Sequence, residues 1–398
     1  MRYPALCVLP ILLGLSAAAY GQSPVAPQRR VTLGWPEIFD PARLLRLNLE
    51  MDSGDWTTIQ HDLSFDIEVP ALLWMDGEAP ILVSVRRKSC DALTSAPGFD
   101  KVSLKIDTNE YVDDQVWHDL EKLSLENGDD EDVVKEGLAW GLHRLAKSPV
   151  GYGYDAALAN WATLVINGVH TGVYVNVEQR DDTLLKNRGL WVEDETWLYE
   201  LDDPYGDVLE EGEGDSPAFT ALCYDPFQRP SPGCPTPETG VLQADLERWI
   251  DMQSMLTLAA VDAFIAAPDA LFSKGKNCSY ADFATGGRLY FPWDLDSVLN
   301  DVNFDVFNPG QHYADIVLGV PAFRERYKGI LTDMVDGPLH EDAARAYLDA
   351  MEALLTLPLS ADVNNQIGDA GAIAEHFDRL RAWIVERKAN VLAQVAAD

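Results

Sequence analysis

Asp294 and Asp296 are the residues whose type and spacing point most directly to chemistry. They follow the apolar-aromatic run Leu289 to Trp293 inside the segment NCSYADFATGGRLYFPWDLDSVLN, residues 277–300. Side chains alternate across a strand, so the two acids share a face if extended backbone lasts through Leu295. Carboxylates held close at the end of a buried strand repel each other and need a cation or a shared proton. The pair also suits a hydrolase if the two carboxyls sit ~5 Å apart, as retaining mechanisms require. The plainest use of such acids is to cap the turn or helix that follows.

The elements that must position these acids follow from hydrophobic periodicity. Leu45 to Met51 alternates as a half-buried strand does, and Ala79 to Arg86 and Val102 to Ile106 read as further strands. Val133, Val134, Leu138, Leu142 and Leu145 then recur at helical spacing, with the acids Asp129 to Asp132 suited to the helix start. Asn160 to Val177 is a hairpin around Asn167-Gly168, a pair suited to the positive φ angles of a tight turn, and it ends in Glu178-Gln179. Leu201 to about Gly240 is acidic, Pro- and Gly-rich and irregular, an insertion. Helical patterns run from Leu242 to Ala267 and from His340 onward. Strands first and helices later predict an α+β protein, with a sheet-rich N-terminal part over 41–200 and a mostly helical part over 241–398.

Composition excludes some partners. Asp and Glu total 65 against 30 Lys and Arg, a formal charge of −35, which repels nucleic-acid backbones and anionic membranes. The same charge favours a basic substrate. Residues 1–21 read as a signal peptide, with Arg2, the apolar core Leu6 to Leu15 and the small-residue run SAAAYG; 22–40 reads as a linker. The expected mature protein is exported, secreted or periplasmic, with no membrane anchor. Without Cys7, four cysteines are left. Cys223 and Cys234 bracket a Pro-rich loop suited to local closure, which leaves Cys90 with Cys278 as the second disulfide. His118, His143 and His170 are scattered and take no role, and no GxGxxG or GxxxxGKS loop is present.

Taken in order, VSVRRKSC, KVSLKI, LVINGVHTGVYVNVEQRDDTLLKNR, YFPWDLD and FDRLRAWIVERKANVL resemble the CotH kinase family, named for a bacterial spore-coat protein, over about residues 41 to 395. The resemblance implies an atypical protein-kinase-like fold with two lobes. It also implies transfer of the γ-phosphoryl group of ATP, with magnesium or manganese, to Ser or Thr of a protein substrate.

Residue by residue, the resemblance implies that Asp294 binds metal, as the DFG aspartate does in ordinary kinases, with Asp296 supporting it. Asn277 is the expected ligand of a second metal ion, and Asp269 the catalytic base that orients the acceptor hydroxyl. Lys105, with Lys101 as the alternative, is the strand lysine that meets the ATP phosphates. Glu178 matches the glutamate after the hairpin, and Arg86 with Lys88 a basic motif near the phosphates. Two departures stand out: Ser89-Cys90 follows the basic motif where the family has Gly, and AAPDALFSKGKNCSY is longer and less polar than the usual catalytic loop. The second departure supports an alternative reading, a catalytically inactive relative acting as a surface interaction or adhesion protein. Read without the resemblance, Glu178 and Arg180 form a surface ion pair, and Trp293 is a core residue.

Overall fold

The computed structural model describes residues 33–88, 101–128, 133–146, 156–201, 207–210, 216–218, 239–307 and 312–398. The expected signal peptide, most of the linker, the acids Asp129 to Asp132 and most of the acidic insertion lie outside these residues. So do Cys90, Cys223 and Cys234, and with them both expected disulfides; Cys278 itself is buried.

Seven strands close a barrel: β1 (Leu44–Glu50), β2 (Val69–Met75), β3 (Ile81–Arg87), β4 (Leu104–Asp107), β5 (Lys122–Glu126), β6 (Ala159–Ile166) and β7 (Val169–Glu178). The order around it is β1-β2-β3-β4-β5-β7-β6, and a parallel β1–β6 pairing closes the ring. Alternation decides which side chains fill it. Leu45, Leu47, Leu49, Val83, Val85, Leu104, Ile106, Leu123, Leu125 and Tyr174 belong to one core, inside the barrel. Their sequence neighbours face outward. The β6–β7 turn is as expected, with Asn167 and Gly168 both at positive φ, 51° and 79°. The Asn167 side chain also accepts a hydrogen bond from the Met51 amide at 2.9 Å, tying the turn to the end of β1.

Between β1 and β2 lies helix α1 (Ser53–His61), and between β5 and β6 lies helix α2 (Val133–Ala146). Helix α2 packs on the outside of β6, and two glycines one turn apart let aromatic rings approach its backbone closely. A Cβ at Gly137 would lie 2.4 Å from the Trp161 ring, and one at Gly141 would lie 2.2 Å from the Tyr347 ring. Both rings therefore seat directly on the helix backbone: Trp161 fixes α2 against the barrel, and Tyr347 fixes it against the helix over Glu341–Ala361.

A second sheet, ordered β11-β10-β8-β9, is built from β8 (Thr196–Leu201), β9 (Asp207–Glu210), β10 (Cys278–Phe283) and β11 (Leu289–Pro292). The β10–β11 hairpin is pinned by a fully buried bidentate pair in which Arg288 donates to Asp282 at 2.6 and 2.9 Å. Short helix α3 (Asp182–Lys186) lies between β7 and β8. The remaining helices are α4 (Thr239–Trp249), α5 (Met252–Phe264), α6 (His312–Leu318), α7 (Pro321–Asp336), α8 (Glu341–Ala361) and α9 (Ala370–Ala397).

The structure corrects the helical segments. Leu242 to Ala267 is two helices, because Ile250 bridges to Arg288 and Asp251 then caps α5 through the Ser254 amide. The stretch from His340 is likewise broken between α8 and α9. Strands β2, β5, β8, β9 and β10 were not anticipated, and β9 lies within the stretch read as irregular. A second core joins α2, α5, the second sheet and the C-terminal helices to the outward side of β6 and β7. In it α5 is buried on every side.

Candidate functional site

The strand β11 stops at Pro292, earlier than the alternation of Asp294 and Asp296 requires, and Asp294 has φ 54°. Period two therefore does not relate the two acids. They still share a locality: both act on the buried Glu136 of α2, whose carboxyl is held well above the usual range by burial, by Glu126, and then by Asp296 and Asp294, with Lys88 acting the other way. Buried Leu295 anchors the chain between the acids, leaving Asp294 exposed and Asp296 half-buried.

Asn277 lies opposite this turn. It precedes β10, and since Cys278 pairs with Pro292, Asn277 falls beside Trp293. Its carbonyl accepts from the Trp293 amide at 3.0 Å, and its side-chain amide donates to the Asp294 carbonyl at 3.4 Å. Asn277 is at φ 52°. Two non-glycine residues in left-handed backbone thus face each other at one sheet end, a costly arrangement that surrounding structure must hold in place.

The barrel contributes cations from its outward face. Arg86 pairs in register with Lys105, and Lys105 with Ser124. One step along, the Lys88 amide donates to the Ser103 carbonyl and the Lys88 ammonium is paired with Glu126. Lys88 Nζ also lies 4.4 Å from the centroid of the Trp293 ring. Arg180, just past β7, sits 4.3 Å from the same centroid and is paired with Glu200. Trp140 of α2 meets Trp293 edge to face at 6.3 Å and donates to Glu136 at 3.4 Å. Trp293 is a core residue, as expected, and it also organises two cations.

The other expected site residues lie outside this immediate cluster, Lys105 on the same outward face as Arg86. Lys105 belongs to a group with Arg86, Lys122, Asp107 and Asp181; burial, then Arg86 and Lys122, bring its pKa down to about 8. Lys101 is buried and paired with Asp362 at 3.3 Å, 5.0 Å from the Tyr174 ring, though still within the field of Glu136. Glu178 shares the inward side of β7 with Tyr174. Its carboxylate accepts from Arg188 twice at 2.7 Å, from Trp35 at 2.9 Å and from the Leu158 amide at 2.9 Å. The expected Glu178–Arg180 surface pair is therefore absent: both residues are buried, and each has a different partner.

Asp269 lies in the loop that joins α5 to Asn277, paired with Lys274 and, at 3.3 Å, with Lys276. Those hydrogen bonds and charges bring its carboxyl below the usual range against the opposing effect of burial. Arg387 of α9 fixes the loop's start. It donates to the carbonyls of Phe264 and Ala263 at 3.0 and 2.6 Å, and to those of Val302 and Phe304 at 2.9 and 2.8 Å. The Leu299 amide donates to the Ile265 carbonyl at 2.7 Å, which ties the segment after Asp296 to the same loop.

The structure thus brings together Asp294, Asp296, Asn277 and Lys88, and adds Glu126, Glu136, Arg180 and Trp293, which sequence reasoning did not place there. Glu136 left a trace: Val133, Glu136 and Trp140 recur at helical spacing, putting an acid on the apolar face. The donors are hard oxygens, of the kind magnesium and manganese take. Among the described residues, no three His, Cys, Asp or Glu side chains form a metal cage. That set fits an ion held by one or two carboxylates and completed by phosphate oxygens and water, the usual magnesium arrangement.

A family model described as CotH kinase protein matches residues 94–391. The chain belongs to the CotH kinase family. The matched span runs from before β4 into α9 and includes Glu136, Asp269, Asn277 and Asp294, while Arg86 and Lys88 precede it. No curated protein matches this CotH family member.

Proposed function

We propose that this CotH family member is an exported, two-lobed kinase that transfers the γ-phosphoryl group of ATP to Ser or Thr of a protein substrate, with magnesium or manganese. The observation that carries this reading is the apposition of Asn277 and Asp294 at the open end of β10 and β11, with Lys88 on Trp293 beside them. In this reading the barrel with α2 is one lobe, and the second sheet with the later helices is the other.

Phosphoryl transfer asks little covalent chemistry of the protein; it asks for positioning and for neutralisation of charge. Asp294, Asn277 and Asp296 would hold the divalent ion, which when bound neutralises the phosphate oxygens. Lys88 meets the phosphates nearest that ion, with Arg86 and Lys105 continuing the cationic strip along the outside of β3 and β4. Asp269 accepts a hydrogen bond from the acceptor hydroxyl and takes its proton as the oxygen attacks. Its pairing with Lys274 and Lys276 keeps it ionised for that step. Glu126, paired with the Lys88 ammonium, takes the part of the glutamate that orients a strand lysine in kinases, with Glu136 of α2 beside it.

The net charge of −35 favours basic acceptor segments and disfavours nucleic acid. No helix among the described residues is long and apolar enough to cross a membrane. Incubation of the purified chain with γ-labelled ATP and either metal tests the reading. Label on the chain itself or on Ser-rich basic proteins is the expected result. A chain that binds Mg-ATP and transfers nothing is instead an inactive relative with an interaction role.

A further inference from the structure

The kinase reading uses Lys88 on Trp293 and leaves the second cation on that ring, Arg180, without a role. Two cations from different strand ends converge on a single buried tryptophan, next to the metal-site aspartate. Lys88 follows β3, Arg180 follows β7, and Trp293 follows β11 and immediately precedes Asp294. The two cations lie 4.4 and 4.3 Å from the centre of the indole ring. Arg180 and Trp293 are both buried. A guanidinium on a ring is held through its face, which aims its in-plane N–H groups at an oxyanion. Here those groups meet the Glu200 carboxylate and, at 3.3 Å, the Ser279 hydroxyl. Lys88 likewise meets the Glu126 carboxylate. Each cation is thus already arranged to bind oxygen anions.

Building on the kinase reading, we propose that Arg180 is a second polyphosphate-binding residue, and that Trp293 is the positioning residue that holds Arg180 and Lys88 together beside Asp294. The electrostatics require such a pair. Asp294, Asp296 and Glu126 crowd the site of a chain already at −35, and a nucleotide triphosphate brings several more negative charges. Five N–H donors let one guanidinium serve a carboxylate and a phosphate at the same time. A lysine in its place keeps the charge and loses the planar fork.

The test is calorimetric titration of the full chain with ATP and with AMP, each with manganese, for wild type, Arg180→Ala, Arg180→Lys and Trp293→Leu. Arg180→Ala is expected to weaken ATP at least tenfold and to leave AMP within twofold. Arg180→Lys should fall between it and wild type, and Trp293→Leu should shift ATP in the same direction. If Arg180→Ala does not fold, Arg180→Gln takes its place, since it keeps hydrogen-bonding groups for Glu200 and Ser279. ATP affinity within twofold of wild type, or equal losses for ATP and AMP, overturns the assignment. A wild-type chain that binds neither nucleotide removes the kinase reading itself, and this inference with it.

Discussion

Asn277 and Asp294 face each other with left-handed backbone on both sides, φ 52° and 54°, joined by a 3.4 Å hydrogen bond from the asparagine amide to the aspartate carbonyl. Left-handed backbone costs a side-chain-bearing residue roughly 1–2 kcal/mol, somewhat less for Asn and Asp. A fold that carries this cost twice at one point is holding those side chains in place.

That cost is separable from function. Asn277→Gly relieves the backbone and removes the side-chain oxygen. Thermal melting should be unchanged or higher, while phosphoryl transfer falls by an order of magnitude or more at limiting metal. A variant that melts lower and transfers normally would show that the asparagine serves stability alone.

Lys105 supplies a pH signature. Its pKa of about 8 reflects burial and the nearby Arg86 and Lys122. Only the protonated ammonium attracts phosphate, so Mg-ATP affinity should fall as pH rises through about 8. Lys105→Arg stays charged and should remove that fall. Affinity that is flat from pH 7 to 9.5 in wild type would place Lys105 away from the phosphates.

Glu178 is expected to serve the fold rather than the nucleotide. Its pair with Arg188 is buried on both sides, with side chains 1% and 4% exposed. Removing one partner of such a pair strands the other charge, at about 3–5 kcal/mol. Glu178→Ala should lose that much stability in denaturant unfolding. Its folded fraction should keep wild-type ATP affinity; a selective loss of ATP binding at unchanged stability would return Glu178 to the nucleotide site.

Much of this was legible in the sequence, and the exceptions have physical reasons. The hairpin around Asn167-Gly168 could be read because its turn chemistry is local. Strand β2, VPALLWM, is apolar throughout, so its alternating burial leaves no alternating sequence, and Leu72 lies on the exposed side. Strand β10 buries Ser279 and Asp282 along with its aromatics, so polarity does not mark its faces. Asp294 and Asn277 stood out as polar residues bounding an apolar segment. Glu136 was marked only by its place on the apolar face of α2, because the groups it meets, Lys88 and Asp294, are distant in sequence. Lys88 and Lys105 look alike in sequence; only the position of Trp293 distinguishes them.

Asp181 gives the fold its own pH dependence. Burial, opposed by Lys122, pushes its carboxyl up to about 7, while it caps α3 through the Leu184 amide. A carboxyl with a raised folded pKa binds its proton more tightly in the native state. Stability is then full below the unfolded value, near 4, and declines as pH rises toward 7, by up to about 4 kcal/mol. Asp181→Asn keeps a capping oxygen and should flatten the stability profile between pH 4 and 7. An unchanged slope in the variant would assign that pH dependence to other groups.

Asp294 is expected to hold the metal on which nucleotide binding depends, while Asp269 serves transfer alone. The decisive measurement is calorimetric titration of wild type, Asp294→Ala and Asp269→Asn with ATP, in the presence and absence of magnesium or manganese. Binding should be metal-dependent in wild type and lost in Asp294→Ala. Asp269→Asn should bind nearly as wild type does, with transfer reduced roughly 10²–10⁴-fold. Asp294→Ala binding Mg-ATP as tightly as wild type would contradict the metal assignment.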